Sequence, residues 1–400
     1  MLTLEEAQSR LLAQIRPLPA ERVPMVQAAG RTLAADVAAT LDLPRFDNSA
    51  MDGYAVRAAD TAGASPQTPV TLHSIGRVAA GESFSKEIGA GECVRLFTGS
   101  PLPRGADAVV MQEDARVDAA EPDIVRLCEA ARPWEHVRLR GEDVKQGELL
   151  LRAGMEITAG RIGLLAAMGM QEVAAARAPV VGLLATGSEL CEAGRPLGPG
   201  QIYESNRAML APLLAAAGAR VRSYPLVPDT LAATSDALKL AFSECDVVIT
   251  AGGVSVGELD FVKEAFEKLG GRLDFWKVAI KPGKPFAFGE WRGRFLFGLP
   301  GNPVSALVTF LLLVRPALLQ MQGASEVHLP THPGTLAGPL ANRGDRRHFM
   351  RVCVCADGLV RPAGMQASHA LASLASANAL VEVPAQTTLP AGLLVRVWRL

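Results

Sequence analysis

From Pro179 to Leu319 the chain alternates short apolar runs with amphipathic ones, and this alternation constrains the fold more than any other feature. Val180 to Ala185 reads as a buried strand, Asn206 to Ala217 as a helix stopped by Gly218, and Val221 to Val227 as a second strand. Thr230 to Glu244 follows as helix, Asp246 to Thr250 as strand, Glu258 to Leu269 as helix, Phe295 to Gly298 as strand and Val304 to Leu319 as helix. Strands separated by helices pair in parallel and carry the helices on both faces. The predicted centre is a doubly wound α/β domain over residues 178–323.

The flanks have other textures. Thr3 and Glu6 form a capping-box pattern ahead of Leu4, Ala7, Leu11, Leu12 and Ile15, which predicts a helix ending before Pro17. From Asp47 to Val137 short apolar runs (Val70 to Ile75, Cys93 to Phe97, Ala108 to Gln112, Ile124 to Cys128) are broken by Gly and Pro, as in a small β domain. A helical stretch, Thr158 to Met168, then rejoins the N-terminal layer, so the first domain is discontinuous, 1–46 and 138–177, with 47–137 inserted. Residues 324–400 turn to β texture again, with Phe349 to Cys355 and Leu359 to Arg361 joined around Asp357-Gly358.

Charge narrows the classes of partner. Forty Lys and Arg against 41 Asp and Glu give a formal charge of −1 over 400 residues, so neither nucleic acid nor an anionic membrane surface is an expected partner. The longest strongly apolar run, Ala306 to Val314, has nine residues, short of the roughly 20 that span a bilayer. The N-terminus lacks the basic region and apolar run of a signal peptide, and a cytoplasmic protein is expected. The six cysteines contain no CxxC, and reduced thiols are expected. On one strand His348 would face away from Cys353 and Cys355, which disfavours a three-residue metal cluster.

In an open parallel sheet, ligands bind beyond the carboxyl ends of the strands. Three Gly-containing loops lie there: Thr186-Gly-Ser-Glu189; Gly252-Gly253-Val-Ser255-Val-Gly257-Glu-Leu-Asp260; and Gly298-Leu-Pro300-Gly301-Asn302-Pro. Glycine lets a backbone approach a ligand closely, and N–H groups at helix starts attract phosphate. Lys277, Lys281 and Lys284 cluster in a Pro- and Gly-stiffened turn as candidate phosphate or oxyanion clamps. Glu189 and Asp260 on the same rim would disfavour an anion unless a divalent cation intervenes, and Mg²⁺ takes one or two carboxylates together with substrate phosphates. A phosphate-bearing ligand held with a metal ion is the expectation.

Simpler templates fit less well. There is no GxxxxGK[ST] loop and no GxGxxG. Gly253-Val-Ser255-Val-Gly257 does match GxSxG between a strand and a helix, with Asp274 and His369 downstream in the order of a serine hydrolase. That alternative lacks an HGGG-type oxyanion loop and leaves the lysines unexplained.

Taken together, Asn48-Ser-Ala-Met-Asp52-Gly-Tyr-Ala-Val, Thr98-Gly-Ser-Pro-Leu-Pro-Arg-Gly-Ala-Asp107, Gly141-Glu-Asp143, the three Gly loops and Lys281-Pro-Gly-Lys284-Pro resemble the molybdopterin molybdenumtransferases, the MoeA and gephyrin E-domain family, in that family's order and over essentially the whole chain. The resemblance implies four modules: a discontinuous elongated domain, an inserted β domain, a central molybdopterin-binding α/β domain and a C-terminal β barrel. It implies a cytoplasmic homodimer that inserts molybdate into the dithiolene of adenylylated molybdopterin and releases AMP with Mg²⁺. A molybdopterin adenylyltransferase would act upstream and apo-molybdoenzymes downstream. In the family the site forms where the central domain of one subunit meets the inserted domain of the other.

Position by position, Asp52, Thr98, Asp143, Glu189, Asp229 and Asp260 match the family's functional polar positions, and Lys277 and Lys281 its basic ones. Glu189 and Asp260 are the implied metal ligands. Gly252, Gly253, Ser255, Gly257, Lys284, Pro300, Gly301 and Asn302 are the implied cofactor-binding positions, with Arg351 and Ser368 as weaker C-terminal matches. Ser188 departs from the family, where many relatives carry Asp in TGDEL, and Thr230 replaces a second acid after Asp229. A non-catalytic scaffold on the same fold is a further alternative, against which the filled polar positions argue.

Overall fold

Val247–Ala251, buried at every position, lies inside a six-stranded sheet whose order is Arg220–Ser223, Val180–Ala185, Val247–Ala251, Arg294–Leu299, Pro285–Trp291, Arg272–Lys277. The computed structural model describes residues 1–254 and 261–400, which divide into a unit of residues 1–35, 153–163 and 171–400 and a second of residues 36–152 and 164–170. The sheet belongs to the first unit. Its first four strands are parallel, as the alternation of elements predicts. The last two are antiparallel and extend the parallel array. Pro285–Trp291 joins Arg294–Leu299 through Arg292 and Gly293, both with positive φ, the backbone of a tight two-residue hairpin turn.

Alternate side chains of the parallel strands enter two separate cores. Val181, Leu183, Val247 and Ile249 pack with Leu210, Leu214 and Leu312 on one face, and Leu184, Val248 and Leu296 pack with Leu238, Phe242 and Phe266 on the other. Helices Asn206–Ala216 and Pro303–Met321 therefore cover one face, and Leu231–Glu244 and Val262–Lys268 the other. Thr230 caps its helix by accepting from the Ala233 N–H at 3.2 Å, a role an acid would fill equally well. The Val221 strand stops at Ser223, two residues before Pro225, rather than reaching Val227.

Pro303–Met321 runs longer than its nine-residue apolar core suggests and, by length and composition alone, is long enough to cross a bilayer. Its most apolar window is 83% buried inside the fold, so its apolar sides are spent on the protein core. At Phe310–Val314 the helix widens into a π turn, with the Arg315 N–H donating to Phe310 O. Pro316 explains the turn: it has no N–H for Leu312 O and its ring would crowd that carbonyl. Gln8 Nε2 donates to Leu312 O instead, at 2.8 Å. The Gln8 helix, Leu4–Gln14, has the predicted capping box and buries Leu4, Ala7 and Leu11.

The C-terminal strands close on themselves. Arg347–Val354 pairs with Leu359–Pro362, followed in order by Thr331–Leu336, Leu394–Arg399 and Ala379–Val383, which pairs back to Arg347–Val354. The result is a five-stranded barrel filled by Leu336, Met350, Val352, Val360, Val381 and Val397. Ile280–Lys281 runs parallel to Arg347–His348 and ties the lysine turn to the barrel.

The second unit holds a mixed six-stranded sheet in the order Ala108–Met111, Gly53–Val56, Glu92–Leu96, Val70–Val78, Glu121–Leu127, Ala115–Asp118. The four predicted apolar runs are all strands of this sheet. Within the same unit Asn48–Ser49 pairs with Val137–Arg138, and Val37–Ala38 with Leu149–Leu151.

Candidate functional site

The loops that follow three parallel strands converge. Thr186 N–H donates to Ala251 O at 3.2 Å, and Gly252 N–H donates to Leu299 O at 3.0 Å, so the loop of each strand is tied to the next. A Cβ on Gly252 would lie 2.6 Å from Thr186 O, and one on Gly253 would lie 2.7 Å from Thr186 Oγ1; both residues have positive φ. Only glycine fits there. Beside them opens a cleft of about 550 Å³, lined among others by Thr186, Glu189, Ala251, Asn206, Gly301 and Asn302. It sits beyond the carboxyl ends of the parallel strands, where the sheet topology predicts a ligand.

Glu189 is exposed at the rim, with its carboxylate folded over Gly187, where a Cβ would come within 2.6 Å of Oε2. Ser188 and Asp229 close the outer edge through reciprocal bonds, Ser188 N–H to Asp229 Oδ2 at 2.8 Å and Asp229 N–H to Ser188 Oγ at 3.0 Å. Asp229 is thus committed to holding the loop.

Asn206 contributes a contact that the motifs did not mark. Its Nδ2 donates to Gly301 O at 2.8 Å, pinning the last Gly loop. Its Oδ1, like Thr186 Oγ1, is buried without a hydrogen-bond partner among the described residues. Each such group costs about 1–3 kcal/mol when left unpaired, so both suit a donor supplied by a ligand or water. Glu204 also lines the cleft but is occupied: Arg207 Nε reaches its Oε2 at 3.0 Å, while Arg207 Nη2 reaches Glu192 at 2.8 Å. The available signal was Glu204-Ser205-Asn206-Arg207, a polar run at the start of a helix in an α/β domain.

Other predicted residues take different places. Asn302 Nδ2 donates to Ser368 Oγ at 3.1 Å, and Val304 N–H donates to Ser368 O at 3.1 Å, so the two C-terminal loops are linked; Pro300 is buried behind them. Lys277, Lys281 and Lys284 are not among the cleft's lining residues. Lys277 Nζ lies 4.6 Å from the Trp276 ring centroid and Lys263 Nζ 4.7 Å, and Trp276 Nε1 donates to Val254 O at 2.8 Å, beside the Gly252-Gly253 turn. Lys281 is in register with His348, whose pKa is pulled down to about 4 by burial and then by Lys281, Arg351 and Arg346. Lys284 is exposed. Arg351 is fully buried on the outer side of its barrel strand, where Nε and Nη2 donate to the 365–373 segment beneath Ser368 while Nη1 is buried without a partner among the described residues. Ser255, Gly257 and Asp260 lie outside the described residues, as does the start of the helix predicted from Glu258.

In the second unit Thr98 N–H and Thr98 Oγ1 both donate to Asp52 Oδ1 at 2.7 Å. These bonds, the backbone one first, hold the Asp52 carboxyl below its ordinary range. Asp143 is exposed on a turn of the same unit, its N–H donating to Leu43 O at 3.1 Å.

Among the described residues no three His, Cys, Asp or Glu side chains gather as a ligand cluster. Glu189, exposed and unburdened by an ion pair among the described residues, is the single carboxylate of the cleft that fits the habit of Mg²⁺, one or two carboxylates completed by substrate oxygens.

Three family models match the chain: MoeA N-terminal region (domain I and II) over residues 2–169, a probable molybdopterin binding domain over 182–320, and MoeA C-terminal region (domain IV) over 333–400. The chain is 41% identical over 387 residues to the molybdopterin molybdenumtransferase of Haemophilus influenzae, covering 95% of this chain and 94% of that one. It is 39% identical over 409 residues to molybdopterin molybdenumtransferase 2 of Mycobacterium tuberculosis, covering all of both. The crystal structure of the molybdopterin biosynthesis moeA protein of Pyrococcus horikoshii superimposes with a TM-score of 0.85 at 31% identity over the whole of both chains. Neither the serine hydrolase nor the scaffold alternative draws support from these likenesses. A six-stranded α/β core with a Gly-lined cleft, a closed C-terminal barrel, and full-length identity near 40% together place this chain in the molybdopterin molybdenumtransferase family.

Proposed function

We propose that this protein inserts molybdate into the dithiolene of adenylylated molybdopterin and releases AMP, forming molybdenum cofactor. The observation that carries the proposal is the convergence of three Gly loops on one cleft beyond the strand ends, with unpaired acceptors at Thr186 and Asn206. That cleft offers backbone access for a pterin and its phosphates, and acceptors for N–H groups. Glu189, with Asp260, would hold a divalent cation such as Mg²⁺, which when bound polarises a phosphoanhydride as a Lewis acid. The chain's own residues position: Asn206 and Asn302 fix the last loop, Ser188 and Asp229 fix the first, and Lys277, on the Trp276 ring whose Nε1 bonds Val254 O beside the Gly252-Gly253 turn, would supply positive charge for an anionic group.

The proposal extends to a cytoplasmic homodimer acting between a molybdopterin adenylyltransferase and apo-molybdoenzymes. Sedimentation of the purified chain tests the dimer. The function is tested by molybdate-dependent AMP release from purified adenylylated molybdopterin, with and without Mg²⁺. Release that requires molybdate is expected, and Glu189→Gln should lower it by at least tenfold. Pterin binding with no release under any cation would favour a scaffold instead.

A further inference from the structure

Cys353 and Cys355 stand apart from the other four cysteines: Cys93, Cys128, Cys191 and Cys245 are buried, whereas these two are partly exposed. They occupy positions i and i+2 at the end of barrel strand Arg347–Val354, so their side chains leave on one face. Their Sγ atoms lie 3.9 Å apart. A disulfide needs about 2.05 Å. Two thiolates each about 2.3 Å from one shared centre stand at most about 4.6 Å apart, so 3.9 Å is within the reach of a two-sulfur centre. The observed spacing is thus that of two sulfurs able to share one ion. His348 is on the same strand but buried, and among the described residues no third His, Cys, Asp or Glu completes a cluster. Two sulfurs without nitrogen or carboxylate partners suit soft ions and not hard ones.

The surroundings are cationic. Arg361, held bidentate by Asp357 at 3.0 and 2.7 Å, lies beside the pair, as does Arg399. The hydrogen bond with Cys355 pushes the Cys353 thiol up, and the two arginines pull the other way.

We propose that Cys353 and Cys355 form a bidentate dithiol site for one soft, thiophilic centre, of which a cuprous ion and a trivalent arsenical are representatives. Binding breaks two S–H bonds, forms two bonds from sulfur to the bound centre and releases the two protons, with no change of oxidation state. The site is distinct from the Gly-loop cleft and stands whether or not the molybdate-transfer proposal holds.

The test uses the full chain and phenylarsine oxide, whose arsenic forms two As–S bonds while its oxygen leaves as water with the two thiol protons. Intact-protein mass spectrometry should show one arsenical per chain, and peptide mapping should show Cys353 and Cys355 both protected from alkylation. Cuprous ion should be retained at one equivalent against a chromophoric chelator. Cys353→Ser and Cys355→Ser should each lower arsenical retention at least tenfold, with Cys128→Ser unchanged. Retention undiminished in both serine variants, or a wild-type chain that binds no arsenical while both thiols alkylate freely, overturns the proposal. The protection map on the wild-type chain decides the matter even if a variant fails to fold.

Discussion

Ser188 and Asp229 hold each other through two reciprocal backbone-to-side-chain hydrogen bonds, at 2.8 and 3.0 Å, across the outer edge of the cleft. A second carboxylate at position 188 would keep an acceptor for the Asp229 N–H but set like charges side by side. The serine therefore allows the loop to close without a metal ion between two acids. Ser188→Ala removes one acceptor, about 1 kcal/mol, and should lower AMP release roughly fivefold. Ser188→Asp should lower it more at low Mg²⁺ and recover as Mg²⁺ is raised. A Ser188→Ala variant with unchanged turnover would show that the pair does not govern the loop.

Asp52 accepts twice from Thr98, and both bonds favour its charged form. With its folded pKa below the ordinary value, its stabilising contribution is fully present above the ordinary carboxylate range and is lost as pH falls through the lowered pKa. Thr98→Val removes the hydroxyl bond and keeps the backbone one, so the Asp52 pKa should rise toward the ordinary value without reaching it. A carbon-detected NMR titration of the Asp52 carboxyl reads this directly; an unmoved midpoint would assign the whole effect to the backbone N–H.

Gly252 and Gly301 both border the cleft, and only one is required by its backbone. Gly252 has φ +100° and a Cβ there would stand 2.6 Å from Thr186 O, whereas a Cβ on Gly301 would have its nearest neighbour, Gly252 Cα, at 3.7 Å. Gly252→Ala should cost about 1–3 kcal/mol in urea unfolding. Gly301→Ala should stay within about 0.5 kcal/mol while raising the KM for the pterin substrate. Equal losses of stability in the two variants would contradict the geometry.

These contrasts show what the sequence makes legible. Continuous apolar runs such as Val180–Ala185 and the Thr3 cap are local, and the structure has them where the pattern puts them. The Pro285–Trp291 hairpin is not legible, because its turn places Arg292 at positive φ, a conformation that arginine gives no sequence signal for. The three Gly loops were readable as a set because topology dictates where strand ends meet. Asn206 was not, since its role depends on Gly301, 95 residues away, and distance along the chain hides such pairs. Pro316 and Gln8 are the same case: a proline predicts a broken helix, and only the fold supplies the amide that occupies the freed carbonyl.

Arg351 illustrates how a matched residue can act at one remove. It is fully buried, its Nε donates to Ser373 Oγ at 3.0 Å, and its Nη2 donates to Met365 O at 2.5 Å and Ala367 O at 3.1 Å. Gln366 closes the clamp by bonding both the N–H and the C=O of Arg351 at 2.9 Å. The segment so held carries Ser368, which accepts from Asn302 at the cleft. Arg351→Met leaves the hydroxyl and both carbonyls without their donor and should cost about 3 kcal/mol or more. It should also expose the 365–373 segment to proteolysis. If Arg351 instead binds molybdate directly, the variant would keep its stability and its protease resistance, and only the KM for molybdate would rise.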